Sequence, residues 1–242
     1  MNASARRLSW NLATRALVAS ALVLLLATPI RAASSGASEA VCNVSADYAL
    51  GVEDYPEAIR LHEQVVRHDP NDALAHYHLG FAYGMSHNAA GELREYQRAE
   101  HLGLREWDLF LNLGLLYLEN GNTISAIDAL RTATRLGPQH SEAHFDLSLA
   151  YERAGRLSEA LTEILDSLKI DPDQPDAQNT LAVIYAGMGN NNGARAVWTK
   201  LIRIDPDYQP ARRNFDFFER ATANEASELR PNLIADSSPS SR

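Results

Sequence analysis

Residues 107–140 read WDLFLNLGLLYLENGNTISAIDALRTATRLGPQH and contain two helical patterns separated by a turn. At 110–117, apolar and small residues recur at intervals of three and four, which places them on one face of a helix. A Gly-Asn pair at 121–122 indicates a turn. A second apolar face at 126–133 is followed by Gly-Pro at 137–138, which ends the helix. The segment therefore predicts a helical hairpin.

The same pattern repeats every 34 residues on both sides of this segment. In that register stand Tyr83, Tyr117, Tyr151 and Tyr185; Leu79, Leu113, Leu147 and Leu181; Ala126, Ala160 and Ala194; and Pro138, Pro172 and Pro206. A series of small residues predicts a close approach of the two helices in each hairpin: Ala46, Gly80, Gly114, Ser148 and Ala182. Because one hairpin cannot bury its own apolar face, we expect the hairpins to stack.

The spacing Trp107-x-x-Phe110-x-x-Leu113-Gly114-x-x-Tyr117 closely resembles the tetratricopeptide repeat. The resemblance implies an all-α helical-hairpin solenoid, a right-handed superhelix of about five repeats. The predicted repeats are residues 39–72, 73–106, 107–140, 141–174 and 175–208. A capping helix is predicted at 207–221 and a disordered tail at 223–242. The second repeat departs from the pattern, since Glu92 stands where the family has a small packing residue.

The composition of the chain excludes several classes of protein. Of its 242 residues 45% are hydrophobic and 22% are charged, which is typical of globular proteins. The formal net charge is −9; residues 1–32 contribute +4 through four arginines, so the remainder carries −13. Such acidity argues against a nucleic-acid partner, because phosphate contacts need clustered lysine and arginine. The single cysteine excludes a disulfide-stapled small domain and a zinc site built of cysteines alone.

Residues 1–32 are predicted to be a secretory signal peptide. Arg6 and Arg7 precede an apolar run at 16–28, and small residues follow the run. A membrane-spanning helix needs about 20 apolar residues, so an uncleaved membrane anchor is the second interpretation. We therefore expect the mature chain to be exported, either to the periplasm or as a secreted protein.

The sequence predicts no catalytic centre, metal site or cofactor. It lacks a nucleophile elbow, a phosphate-binding loop followed by lysine, and a dinucleotide-binding motif, so the chain is predicted not to be an enzyme. Six histidines lie in the first two repeats without a zinc-binding signature: His62, His68, His76, His78, His87 and His101. We expect these histidines to be exposed to solvent or to cap helices. Cys42 is interpreted either as a small buried residue or as an intermolecular cross-link point.

The family resemblance implies a concave surface formed by the first helix of each repeat. The residues placed there as candidate partner-binding residues are Tyr77, His78, Phe81, Leu111, Asn112, Leu115, Phe145, Asp146, Leu149, Asn179 and Val183. The capping helix adds Arg213, Asn214 and Phe217. These residues predict an apolar strip with an acidic rim, which favours a protein or peptide segment with apolar anchors and basic flanks. The alternative is that the apolar members only pack between repeats.

The predicted function is that of a protein-interaction scaffold of the cell envelope or secretory compartment. A subclass of the family binds the carboxylates of chaperone C-termini through cations, and acidic residues such as Glu142 and Asp146 at the corresponding positions disfavour that function. Two alternatives remain open. The repeats would present a substrate to an envelope or glycan-modifying enzyme, with Asn112, Asn179 and Asn214 as peptide-binding groups, or they would self-associate into a structural solenoid.

Overall fold

The computed structural model describes residues 42–235, with side chains described as far as residue 223. The predicted signal peptide lies outside the described residues. The described part contains eleven α-helices and no strand, which confirms the all-helical fold: α1 (Val44–Gly51), α2 (Tyr55–His68), α3 (Ala73–Met85), α4 (Ala89–His101), α5 (Trp107–Glu119), α6 (Thr123–Leu136), α7 (Ser141–Arg153), α8 (Leu157–Ile170), α9 (Pro175–Gly187), α10 (Asn191–Ile204) and α11 (Gln209–Ala235). None of these described helices combines the length and the apolar composition needed to cross a membrane.

The chain divides into two compact units, one ending at Gly137 and the other beginning at Pro138. Within the described residues, the first unit consists of three helical hairpins, α1–α2, α3–α4 and α5–α6. The second unit consists of the hairpins α7–α8 and α9–α10, followed by the single helix α11. Each hairpin lies within one predicted 34-residue repeat, and the predicted helical-hairpin fold is confirmed.

A residue with positive φ lies in the turn of every described hairpin. These residues stand 34 positions apart: Glu53, His87, Gly121, Gly155 and Gly189. The next residue is the N-cap of the second helix, and Asp54, Asn88, Asn122 and Asn190 cap it with a side-chain oxygen. The left-handed conformation reverses the chain, and the cap satisfies a backbone N–H that the helix leaves unpaired. The positive φ therefore recurs in all five described hairpins and the side-chain cap in four of them, the exception being Arg156.

The small residues of the register allow the paired helices to approach each other closely. A Cβ atom built on Gly114 lies 2.4 Å from Cγ of Leu130, and one built on Gly80 lies 2.6 Å from a ring carbon of Tyr96. Real Cβ atoms essentially never come so near to another atom, so a side chain at Gly114 or Gly80 requires its partner to move. Leu130 and Tyr96 are both buried. The predicted close approach is confirmed for these two hairpins.

Helix α11 covers the end of the second unit. Its residues Ala211 and Phe218 are buried with Trp198 and Leu201 of α10 in one apolar cluster. The rings of Trp198 and Phe218 lie 5.2 Å apart between centroids. The helix continues to Ala235, whereas the sequence predicted a disordered tail from residue 223. Alanine, glutamate and leucine recur in this stretch and favour a helix even without an apolar period.

Candidate binding surface and a buried cysteine–histidine cluster

In the first unit, the candidate residues on α3 and α5 are largely engaged within the chain. Tyr77, Leu111 and Leu115 are buried, while Phe81 and Asn112 are half-buried. The hydroxyl of Tyr77 donates to Oδ2 of Asp108 over 2.7 Å. Burial, together with Asp108, raises the pKa of Tyr77 well above its ordinary value. The Tyr77 hydroxyl therefore stays protonated and links α3 to the start of α5.

In the second unit, the candidate residues differ in how accessible they are. Phe145 and Asp146 on α7 are buried, with Asp146 only 2% exposed, so this carboxylate does not form an exposed rim. Leu149 on α7 and Asn179 and Val183 on α9 are half-buried. The sequence placed all five residues on one binding strip. In the structure only Leu149, Asn179 and Val183 keep part of their surface available.

Two asparagine side chains meet between α9 and α11. Oδ1 of Asn179 accepts from Nε1 of Trp198 at 2.9 Å and from Nδ2 of Asn214 at 3.2 Å. Val183 lies one turn after Asn179 and packs against the Trp198 cluster. Phe217 lies three residues after Asn214 and is 75% exposed. We call the four residues Asn179, Val183, Asn214 and Phe217 the amide patch.

The second feature is a cluster of four polar side chains from the first two hairpins, Cys42, Asp47, His62 and His78. Oδ1 of Asp47 lies 2.8 Å from Nδ1 of His78 and 3.6 Å from Nε2 of His62. Sγ of Cys42 lies 3.3 Å from Oδ1 of Asp47, 3.3 Å from Nδ1 of His78 and 3.7 Å from Nδ1 of His62. One potential ligand atom from each of the four residues lies within 4.8 Å of all the others. Their types are those that bind transition metals.

The electrostatics of the cluster follow from its partial burial around one carboxylate, since His62 and His78 are buried while Cys42 and Asp47 are half-buried. Burial and the charge of Asp47 raise the pKa of the Cys42 thiol far above its ordinary value. Burial, reinforced by His78, lowers the pKa of His62 to about 4. Burial alone would raise the pKa of Asp47, but the hydrogen bond and charge of His78 hold that pKa below its ordinary value. Asp47 is therefore the negative charge around which a neutral thiol and a neutral imidazole gather.

Two further histidines form paired contacts at equivalent positions of their repeats. Nδ1 of His76 lies 2.6 Å from Oε2 of Glu95, and Nδ1 of His144 lies 2.8 Å from Oε2 of Glu163. Nε2 of each ring faces the carbonyl of the proline before its helix, Pro70 at 3.2 Å and Pro138 at 3.3 Å. At the equivalent position of the next repeat stands Gln178, whose side-chain Nε2 donates to the carbonyl of Pro172 over 2.7 Å.

The predicted exposure of the histidines is wrong for His62, His76 and His78, all of which are buried. The register contained the signal for His62. Its position corresponds to the large buried residues of the other second helices, Tyr96, Leu130, Ile164 and Trp198. A histidine in that series is a core residue. Its proximity to Cys42 was not predictable from spacing, because Cys42 precedes α1 and His62 lies on α2.

Comparisons with known proteins agree with the geometry. A family model described as "Tetratricopeptide repeat" matches residues 44–103 and 111–175, and a second with the same description matches 175–208. No curated protein matches the chain. Among solved structures, YrrB, described as a TPR protein with an unusual peptide-binding site, is 25% identical, with a TM-score of 0.67 over 71% of this chain and 88% of its own.

Structures of MamA are also similar. One is 23% identical with a TM-score of 0.61, covering 65% of this chain and 92% of its own. MamA 41-end from Desulfovibrio magneticus RS-1 is 17% identical with a TM-score of 0.63, covering 72% of this chain and 99% of its own. These two likenesses show the fold alone. The family models, in contrast, cover more than half of the chain. The chain belongs to the tetratricopeptide repeat family.

Proposed function

We propose that this chain is a non-catalytic protein-interaction scaffold that binds an extended peptide segment of a partner. The proposal includes export, with residues 1–32 as the signal peptide and the cell envelope or the secreted fraction as the place of action. The partner segment carries apolar anchors and basic flanks. The observation that carries the proposal is the amide patch of the second unit.

The amide patch combines an oriented polar pair with exposed apolar surface. The two hydrogen bonds to Oδ1 of Asn179 fix both asparagine amides in place. Nδ2 of Asn179 and Oδ1 of Asn214 are then a donor and an acceptor of the kind that a peptide backbone requires. Phe217 offers an apolar surface beside them, three residues further along α11. This pairing suits a segment that is recognised through its main chain and one apolar side chain.

Two further facts support the chemistry of the partner. YrrB, which shares the fold at 25% identity, is described as having a peptide-binding site. The chain beyond residue 32 carries a formal net charge of −13, since residues 1–32 contribute +4 to a total of −9. An acidic scaffold attracts basic flanking residues and repels acidic ones, mainly by steering the encounter.

The proposal is tested by selecting peptides from a random displayed library against the full chain and measuring the affinity of the best binder by calorimetry. Phe217→Ser should weaken binding by about tenfold or more, because a truncated apolar anchor commonly costs about 2 kcal/mol. Phe217 is exposed, so this change should leave the unfolding temperature unchanged. Ile124→Ser is the matched control, because Ile124 is equally exposed but lies on α6 of the first unit.

Asn214→Ala provides an independent measurement on the polar half of the patch, with a loss of affinity expected beyond that of the control. Equal affinity of the wild type, Phe217→Ser and Asn214→Ala would contradict binding at the amide patch. The buried candidates Leu111 and Phe145 are poor test positions, because their substitution also disturbs packing.

A further inference from the structure

We propose that Cys42, Asp47, His62 and His78 form a binding site for a divalent transition-metal ion, with zinc as the best fit, and that the ion fastens α1 to α2 and α3. The site is independent of the amide patch and of the proposed peptide binding.

The first argument is the geometry of the four potential ligand atoms. Zn–S bonds of about 2.3 Å and Zn–N bonds of about 2.0–2.1 Å place tetrahedral ligand atoms about 3.3–3.6 Å apart. The separations of Sγ of Cys42 from Oδ1 of Asp47 and from Nδ1 of His78 are both 3.3 Å. Nε2 of His62 lies 3.6 Å from Oδ1 of Asp47. Oδ1 of Asp47 lies only 2.8 Å from Nδ1 of His78, which is the separation of a hydrogen bond. Binding of an ion therefore requires this hydrogen bond to open by less than about 1 Å, so that all four ligand atoms reach tetrahedral separations.

The second argument is the state of His62. Its side chain is fully buried, and its Nε2 atom has no hydrogen-bond partner in the described structure. A buried polar nitrogen without a partner is unfavourable, because it has lost its hydrogen bonds to water without replacement. This nitrogen faces Oδ1 of Asp47 at a distance too long for a hydrogen bond but suited to a shared metal ion. A cation at the centre of the cluster satisfies an atom that the protein alone leaves unpaired.

The third argument concerns the groups that orient the carboxylate. The backbone N–H of Asn43 donates to Oδ2 of Asp47 over 3.3 Å, so Oδ1 is the oxygen turned to the cluster. The side chain of Asn43 also caps α1 by accepting from the N–H groups of Ser45 and Ala46. Hydrogen bonds of this kind fix the direction of a ligating carboxylate. The residue beside Cys42 thus holds both the helix end and Asp47 in place.

The position of the cluster gives the ion a structural role. Helix α1 has eight residues, and its buried residues are Ala46, Ala49 and Leu50. Such a short helix with little apolar volume is held weakly by packing alone. The cluster joins α1, through Asp47 and the preceding Cys42, to His62 on α2 and His78 on α3. Structural zinc sites stabilise small folded elements in this way, because the site does not exist in the unfolded chain.

The test uses the full chain, stripped with a chelator, kept reduced and titrated with Co²⁺, which reports on its own coordination. Binding of one ion per chain with thiolate-to-cobalt charge-transfer absorption is expected, followed by displacement with Zn²⁺. Zinc should also raise the unfolding temperature, since a ligand of the native state stabilises it. Absence of the charge-transfer band in the reduced wild type overturns the proposal.

Four variants separate this cluster from other sites. Cys42→Ser retains the size of the side chain and should abolish the charge-transfer band, and His62→Asn should weaken zinc binding by about 100-fold or more. His68→Gln is the matched control, because His68 lies on the same helix but is exposed. Its affinity should equal that of the wild type. Unchanged zinc affinity in both cluster variants overturns the proposal. His144 belongs to a second group of potential ligands, with Glu163 and Asp166. Loss of zinc binding in His144→Gln therefore also overturns the proposal.

Discussion

Gly84 on α3 leaves the space that the carboxylate of Glu92 on α4 occupies. A Cβ atom built on Gly84 lies 2.6 Å from Cδ and from Oε1 of Glu92, whose side chain is buried. At the equivalent positions of the next repeat the sizes are exchanged, with Leu118 on the first helix and Ala126 on the second. The departure of the second repeat from the family pattern is therefore accommodated by a change in its partner helix.

This exchange of sizes predicts coupling between the two positions. Gly84→Ala should lower the free energy of unfolding, because the new methyl group displaces the buried carboxylate of Glu92, although the higher helix propensity of alanine offsets part of that loss. In a Glu92→Ala background the same change should have almost no effect or be favourable. Chemical denaturation of the four proteins measures the coupling. Additive effects would show that the two side chains do not compete for the same space.

A similar cycle tests the close approach in the third hairpin. Gly114→Ala should destabilise the chain by about 1–3 kcal/mol, and Gly114→Leu by more, because the new side chain forces the buried Leu130 to shift. Leu130→Ala alone leaves a cavity, with a loss of about 2–5 kcal/mol. Gly114→Ala should cost less in that background. A thermal midpoint unchanged by Gly114→Leu would contradict the helix pairing.

The hairpin turns predict one stabilising substitution. His87 is exposed and holds φ at 60°, a conformation that is unfavourable by about 1–2 kcal/mol for residues other than glycine. His87→Gly should stabilise the chain by up to about 1 kcal/mol, after the entropy that glycine gains in the unfolded state is subtracted. Gly121→Ala is the converse control: Gly121 has φ at 74° and open space around it, so its substitution tests the backbone alone. Stabilisation by Gly121→Ala would contradict the turn geometry.

The pair of His144 and Glu163 predicts a stability that depends on pH. The hydrogen bond to Glu163 raises the pKa of His144 above its ordinary value of 6.5. The pair therefore contributes its full stability below about pH 6.5, and the contribution is lost as the pH rises through the pKa of the folded state. His144→Gln keeps a donor for Pro138, as Gln178 does for Pro172, but removes the charge.

We expect the wild type to be more stable than His144→Gln by about 1 kcal/mol or less at about pH 5.5, and the difference to shrink towards about pH 9. Thermal unfolding at several pH values measures it, with the exposed His68→Gln as the control. A stability difference that stays constant over this pH range would show that Glu163 does not raise the pKa of His144 in the folded state.

Helix α11 predicts different outcomes for two truncations. Removal of residues 209–242 takes away Ala211 and Phe218 and exposes Trp198 and Leu201, so aggregation and loss of cooperative unfolding are expected. Removal of residues 224–242 leaves the whole apolar cluster in place and should preserve solubility and unfolding temperature. Light scattering compares the two proteins. Equal solubility of both would contradict the role of α11 as a cap.

The sequence was sufficient to predict the hairpins, because their apolar and small residues recur in one register. That register directly predicts the packing of Gly114 against Leu130. It also predicts that a further helix covers Trp198. The length of α11 did not follow, since intrinsic helix propensity rather than an apolar period extends it beyond residue 222.

The candidate sites were less predictable, because they depend on contacts between different helices. Asp146 was assigned to an exposed rim from its position on α7, yet it is buried. The contact between Asn179 and Asn214 depends on how α11 packs on α9, and the spacing of residues in the sequence does not predict that packing. The gathering of Cys42, His62 and His78 likewise needs three helical segments in their folded places.

The carbonyl of the proline before a first helix has a consequence for protein design. His76, His144 and Gln178 each reach that carbonyl from the same repeat position. What the position requires is a donor of suitable length, not one residue type. An idealised repeat built from this chain can therefore carry histidine, with a glutamate opposite, where pH-dependent stability is wanted. It can carry glutamine where stability should not depend on pH. Neither choice requires redesign of the connecting turn.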